Sequence, residues 1–385
     1  MEAIMEDKSL DNVSMATVVA LCVAYSLFAA VFNIAPLMVG ASIDALGLDA
    51  GEAGILLSTE LIGAALVAMG LSRFIDQLDI QRWALRATIG LLAANLVSIA
   101  VDGYLQLVIV RGIAGACTGV IAAAVFYFAA LSHNPVRMFG ILSTAGVLAG
   151  ALLLIGVPAA LVAYGHNGIF LILALLCSLA IPLICRMDPP QAEAIRGKLP
   201  GSNASVLVLA FGLAVVGIQA TQGGYYAFAE QIGQNLGMDI GAIGTALSAS
   251  YFLALGGAGL ASVLGERLGI FTPLLIGMCG HVVGTALVVT AQTPAAYITG
   301  VQVQAFSFFL FYPYKLGLAA LIDPSGRLST LASGLVMLGL GVGPMIGGAI
   351  VVQWGYISIA WSVGITAALG YLILLYSARS MRVAT

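Results

Sequence analysis

An all-α membrane protein made of two related six-helix bundles is the fold class that this sequence predicts, and three observations predict it. The first is composition. Of 385 residues, 61% are hydrophobic and only 8% are charged, with a mean hydropathy of +1.08. Soluble domains carry about 25% charged and roughly 45–50% apolar residues, so the apolar surface of this chain belongs in lipid. The second is a series of apolar runs, each near the ~20 residues that a bilayer core requires of a helix. The third is that the second half of the chain repeats the first.

The runs lie at 16–40, 53–72, 83–101, 105–130, 138–163 and 168–185, then at 205–229, 241–264, 270–291, 295–320, 329–352 and 356–376. One long polar gap, 186–203 (RMDPPQAEAIRGKLPGSN), separates the two sets and reads as a linker. The expected organisation is therefore a bundle at 1–185, a cytoplasmic linker at 186–203 and a second bundle at 204–385. The distribution of basic residues tests the count. Of 14 Lys and Arg, only Arg111 and Lys315 fall deep inside runs, and Arg86 lies in the first turn of one. With twelve spans and a cytoplasmic N-terminus, all the others (Lys8, Arg73, Arg82, Arg86, Arg137, Arg186, Arg196, Lys198, Arg267, Arg327, Arg379 and Arg382) fall on the cytoplasmic side. The opening MEAIMEDKSLDNVS is acidic and lacks a basic leader, so the first run is expected to be a retained helix.

Other classes are excluded by what the composition lacks. A net charge of -3 with no basic face argues against nucleic acid as a partner. The five cysteines (Cys22, Cys117, Cys177, Cys185 and Cys279) form no CxxC pair and read as inert thiols. No metal site is expected, and no GxxxxGK[ST], HExxH or GxSxG motif points to ATP drive or an enzyme. His133, His166 and His281 are isolated and read as structural.

The internal repeat has a single offset of 190 residues. It aligns 46–58 (LGLDAGEAGILLS) with 236–248 (LGMDIGAIGTALS), identical at seven of thirteen positions. It also places Asp76 on Glu266 and Arg137 on Arg327. Parallel six-helix repeats related by an axis along the membrane normal are a transporter architecture, with the solute site between the halves.

The loop motifs make the resemblance specific. Glu266-Arg267-Leu268-Gly269 matches an acid-Arg-x-Gly signature, and its first-half counterpart Asp76-Gln77-Leu78-Asp79 followed by Arg82 lacks the glycine and the first arginine. Arg111-Gly112-Ile113-Ala114-Gly115 with Gly119 matches an R-x-x-x-G signature in the fourth span. On these residues the chain resembles the major facilitator superfamily over nearly its full length. That likeness implies an integral membrane transporter of a small solute, working by alternating access and without enzymatic activity. It also implies a cavity lined by spans 1, 4, 7 and 10. A glycine-proline signature, usual in the fifth span of the family's proton antiporters, stands instead in the eleventh as Gly343-Pro344-Met345-Ile346-Gly347-Gly348.

Ionisable groups inside a membrane are costly, so each is a candidate site. Glu60 and Arg111 lie at similar depth, roughly 10 Å in by the ~1.5 Å rise per residue, on spans that are neighbours in the resembled family. They are expected to pair, either to couple proton movement to conformation or as a purely structural ion pair. Lys315 has two readings as well. It is within snorkelling reach of the cytoplasmic surface, yet Gln304, Phe308, Tyr312 and Lys315 share one helical face and suit a cavity wall for an anionic or aromatic solute. Gln219, Gln222, Tyr226 and Glu230 form a similar stripe in the seventh span, and Tyr25 and Asn33 add polar groups in the first. The loop charges Asp76, Arg82, Arg137, Glu266, Arg267 and Arg327 are candidates for a cytoplasmic gate.

The expected function is secondary active transport of a small organic solute, proton-coupled and with no other cofactor. The alternatives are a multidrug-type proton antiporter exporting amphipathic compounds and an uncoupled facilitator. A monomer in a bacterial inner membrane, with both termini cytoplasmic, is the expected setting.

Overall fold

The computed structural model describes residues 14–382 apart from 49, 102, 189–203 and 324. Most of the expected linker, with Arg196 and Lys198, lies outside the described residues, as do Lys8 and the side chain of Glu230. Among the described residues the regular structure is helical throughout. The first half runs α1 (Met15–Asn33), α2 (Ala35–Leu46), α3 (Ala50–Leu71), α4 (Ile80–Ile99), α5 (Tyr104–Ala130), α6 (Pro135–Tyr164) and α7 (Asn167–Ile184). The second runs α8 (Ala204–Asn235), α9 (Ile240–Leu264), α10 (Phe271–Val289), α11 (Pro294–Ile322), α12 (Arg327–Trp354) and α13 (Ile357–Arg382). Nine helices, among the described residues, are long and apolar enough to cross a membrane by themselves, and α3 adds a shorter apolar stretch, Ile55–Leu71.

The first span departs from expectation in one respect. It is two helices, broken at Ile34 (φ -101°, ψ 9°) with Pro36 in the opening turn of α2. Proline has no N–H to offer the preceding turn and its ring crowds that turn's carbonyl, so the helix interrupts there. The chain then continues helical to Leu46, where Gly47 ends it in the left-handed conformation (φ 63°). Elsewhere the boundaries follow from caps. Asp79, Asn134, Asp239 and Thr293 each accept the backbone N–H three residues on, at the starts of α4, α6, α9 and α11.

The two halves pack by the same scheme. In the first, α3 and α4 lie on α5, and α6 lies on α1; in the second, α9 and α10 lie on α11, and α12 lies on α8. The halves meet where α3 packs on α12 and where α6 packs on α9. Both seams are tight at the end that carries the basic loops, called the basic face below. There, Gly317 abuts Val136, Gly140 abuts Ser262 and Gly334 abuts Met69. The termini of the first half are tied together on the same face: Ser14 donates its hydroxyl to Asp188, and the Asp188 N–H donates to Thr17 Oγ1 at 2.9 Å.

Candidate functional site

A cavity lies between the halves, lined by α1, α6, α8, α9, α11 and α12. Its free volume is about 90 Å³. Phe32 of α1 and Tyr226 of α8 approach from opposite halves with ring centroids 5.6 Å apart. One helical turn or more nearer the basic face, the hydroxyls of Tyr25 (α1) and Tyr312 (α11) face each other. Aromatic surface dominates the remaining wall, with Phe28, Phe308 and Phe309 clustered between these two pairs.

Of the sequence-derived cavity residues, Tyr25, Asn33, Gln219, Gln222, Tyr226, Gln304, Phe308 and Tyr312 all line this space. Asn33 is committed at its Nδ2, which donates to the Gly146 carbonyl at 3.3 Å. Lys315 does not line the cavity. It is wholly buried one layer beneath, toward the basic face, where its Nζ donates to Gln219 Oε1 at 2.7 Å and lies 4.9 Å from the Tyr312 ring centroid. Full burial and a hydrogen bond to an interior glutamine mean that its stem does not snorkel out. Among the described residues no carboxylate pairs with it. An unpaired cation in this setting is costly unless an anion visits.

A second polar chain crosses from α10 to α8. Gln304 Nε2 donates to Gln222 Oε1 at 2.6 Å and lies 3.1 Å from His281 Nδ1. Gly284, one turn from His281, permits this reach, because a Cβ there would strike the Gln304 backbone. His281 carried no functional weight in the sequence, since its helix presents no polar stripe. Tyr251 and Ser250 of α9 and Ser143 of α6 also line the cavity and were not anticipated. They lack the i, i+4 repetition that marks α8 and α11.

Glu60 (α3) and Arg111 (α5) meet inside the first half, away from the cavity. Arg111 Nη2 lies 2.5 Å from Glu60 Oε1 and Nε lies 3.0 Å from Oε2, a bidentate pair with both side chains inaccessible. Gly115 lets α3 and α5 approach closely enough for it, since a Cβ there would overlap the Glu60 backbone. The remaining guanidinium nitrogen donates to Asn95 Oδ1 at 2.8 Å and to Ser98 Oγ at 3.4 Å, and the guanidinium carbon lies 5.3 Å from the Phe170 ring centroid. His166, half-buried just before α7, has its imidazole held below the usual value by burial and then by the Arg111 charge. Asn95 and Ser98 were missed because, although they share one face of α4, neither is ionisable and both lie in an apolar run.

The loop charges divide. Arg327 at the start of α12 grips Asp76 of the first half in a bidentate pair at 2.7 and 3.2 Å, each side chain about a third exposed. Arg82 pairs with Asp79 of its own half at 3.0 Å and so does not bridge the bundles. Arg137 lies beside Gly265, at the turn that carries the exposed Glu266 and Arg267. This is the pseudo-symmetric counterpart of the Asp76–Arg327 contact. Asp323, buried in the α11–α12 turn, accepts from the Ser325 and Leu328 N–H groups at 3.0 and 2.8 Å and fixes Arg327 beside it.

The sequence model of the Major Facilitator Superfamily matches residues 18–320. The chain belongs to that superfamily. A curated relative, the tetracenomycin C resistance and export protein of Streptomyces glaucescens, is 30% identical over 128 residues, 32% of this chain and 24% of the relative's length. The matched segment thus spans about a quarter of that relative. Solved superfamily structures share the fold along 94% of the chain. They include the human organic anion transporter MFSD10 (TM-score 0.74, 13% identity, 98% of that chain) and the proton:xylose symporter XylE (TM-score 0.75, 15% identity, 95% of that chain). The Escherichia coli fucose:proton symporter FucP fits similarly (TM-score 0.71, 15% identity, 98% of that chain). Superfamily membership makes this an integral, multi-pass membrane protein of a transporter family.

Proposed function

We propose that this superfamily member is a secondary transporter whose solute is a small aromatic anion, moved by alternating access in exchange with, or together with, protons. Lys315 carries the reading. A fully buried ammonium with Gln219 as its one hydrogen-bond acceptor among the described residues, beneath an aromatic cavity, supplies a charge that a carboxylate or phenolate could compensate. Tyr25, Phe28, Phe32, Tyr226 and Phe308 supply faces for stacking. The coupling proton is assigned to Glu60, whose neutral form would release Arg111 to Asn95 and Ser98, partners already in place. The basic face is assigned to the cytoplasm by the positive-inside rule, with both termini on that side, a monomer as the working unit and a bacterial inner membrane as the setting.

Thermal-shift screening of the purified protein against organic acids, sugars and cationic dyes tests the solute class. Stabilisation by aromatic acids, lost in Lys315→Met, is expected; stabilisation by cations alone would overturn the assignment. Flux of the best ligand in proteoliposomes, with and without a proton gradient, tests the coupling. Flux indifferent to both the gradient and Glu60→Gln would remove the proton from the mechanism. A second reading, proton-driven export of amphipathic compounds, is favoured by the match to the tetracenomycin C export protein. Proton-driven uptake of tetracenomycin C into inverted vesicles, where export runs inward, separates the two.

A further inference from the structure

Lys315 holds the charge that the proposed solute would complete, yet it does not reach the cavity, and Gln219 stands between them. Lys315 Nζ donates to Gln219 Oε1 at 2.7 Å and lies 4.9 Å from the Tyr312 ring centroid. Both Gln219 and Tyr312 line the cavity. A solute anion in the cavity therefore meets one of these two side chains before it meets Nζ. Gln219 is also firmly rooted. Gly339 of α12 lies so close that a Cβ there would stand 2.6 Å from the Gln219 Cβ, and such close helix contact through a glycine holds the glutamine stem in place.

The chemistry of the ammonium fixes which way the Gln219 amide is turned. An ammonium has three hydrogens to give and no lone pair to accept one. Its partner in the amide is thus the oxygen, and turning the amide over would set two donors 2.7 Å apart. Nε2 is left on the far side of the amide from Lys315. No acceptor among the described residues takes a hydrogen from it, and it is not one of the sealed-off polar atoms such as Tyr225 Oη. Nε2 therefore keeps accessible surface, and the space that its residue borders is the cavity. The ammonium draws electron density from the amide through Oε1 and makes the Nε2 hydrogens stronger donors.

We infer that Gln219 contacts the solute's carboxylate directly, its Nε2 donating to the anion while its Oε1 holds Lys315, so that the buried cation recognises the solute through an amide bridge and not by a direct ion pair. By ordinary amide and hydrogen-bond dimensions the carboxylate oxygen would stand about 7–8 Å from Nζ along that bridge. The cation keeps its hydrogen bond before and after the solute visits, and release breaks no desolvated ion pair. This deepens the solute assignment above and rests on it.

Calorimetric titration of the purified full-length protein with benzoate and with neutral benzamide tests the bridge. In Gln219→Met, which removes it, benzoate should bind at least about tenfold more weakly than to the parent. If the anion instead displaces Gln219 to pair with Nζ, the same variant leaves the ammonium bare and benzoate binds as tightly or more tightly, which overturns the inference. Because the two groups act in series, Gln219→Met/Lys315→Met should lose no more than Lys315→Met alone. Losses that add would mean two independent contacts and would also overturn it. Gln219→Glu covers the case in which Gln219→Met, with its stranded cation, does not fold. It keeps an acceptor for Lys315 and turns the cavity-facing atom from donor to acceptor. Benzoate should then weaken and benzamide, which has N–H groups to give, should tighten, each by at least about tenfold. Benzamide binding unmoved in Gln219→Glu overturns the inference. Benzoate binding that needs Lys315 but not Gln219 sinks this inference alone, whereas no benzoate binding by the parent sinks the solute assignment and this inference with it.

Discussion

The two halves share a fold and differ in what they do with buried charge. In the first, Arg111 is saturated: a bidentate carboxylate, an amide oxygen, a hydroxyl and an aromatic face surround it. In the second, Lys315 has one amide oxygen and one ring. The saturated charge lies inside a bundle and away from the cavity, and the under-satisfied one lies directly beneath it. Interior charge that is fully compensated holds its surroundings in place. Interior charge left short of partners favours whatever ligand completes it.

Removing one partner from each site should break this comparison most sharply, because the two losses have opposite signs. Glu60→Ala strands Arg111, and breaking a buried pair in this way costs about 3–5 kcal/mol. A large fall in melting temperature or in folded yield is expected, with Arg111→Met/Glu60→Leu less damaged than either single change. If Glu60→Ala melts like the parent, the pair does not hold the first half together. Lys315→Met removes a charge that lacks a counter-ion, so its melting temperature should stay level or rise. The same variant should lose anion binding by about 10²-fold or more, on the scale of about 2–5 kcal/mol for an interfacial charge left without its mate. A destabilised Lys315→Met protein would mean that the cation is compensated by its surroundings after all.

What the sequence could reveal follows from the same contrast. Most helix ends were legible to within about three residues because lipid forces an apolar run on every span, whereas α2, α8 and α13 each run six residues past the apolar stretch that marks them. The break at Ile34 was signalled by Pro36, which a hydropathy window averages away. The Glu60–Arg111 contact was legible because two opposite charges at equal depth on adjacent spans have few other solutions. The α8 and α11 stripes were legible through their repetition at helical spacing. His281, Asn95, Ser98 and Tyr251 were not, since each takes its meaning only from a neighbour on another helix. Depth also misled in one instance. Lys315 is near enough to the basic face to snorkel, and only the packing of α8 over it shows that it does not.

A smaller effect is expected at the aromatic pairs that close the cavity. Phe32→Ala removes one side of the contact with Tyr226, and aromatic pairs contribute about 0.5–1.5 kcal/mol beyond their buried area. The expected result is roughly a three- to tenfold loss in ligand affinity with little change in stability, read by the same thermal-shift ligand series. An equal loss for every solute class would assign Phe32 to closure, and a loss confined to aromatic solutes would assign it to stacking.

The smallest effect belongs to a charge pair that joins the halves in the loops. Asp76 and Arg327 are each about a third exposed, and pairs of that kind contribute below about 1 kcal/mol. Fold stability should therefore be indifferent to Asp76→Asn. The equilibrium between conformers closed and open at the basic face need not be, because 1 kcal/mol there is about a fivefold change in ratio. Spin labels at exposed positions on α4 and α13 would read the distance between halves at that face. A larger population of the separated conformer is expected in Asp76→Asn, and Asp76→Arg/Arg327→Asp should return it. If neither variant moves the distribution, closure at the basic face rests on the packed contacts of Gly317 with Val136 and Gly140 with Ser262, and the loop pair only follows them.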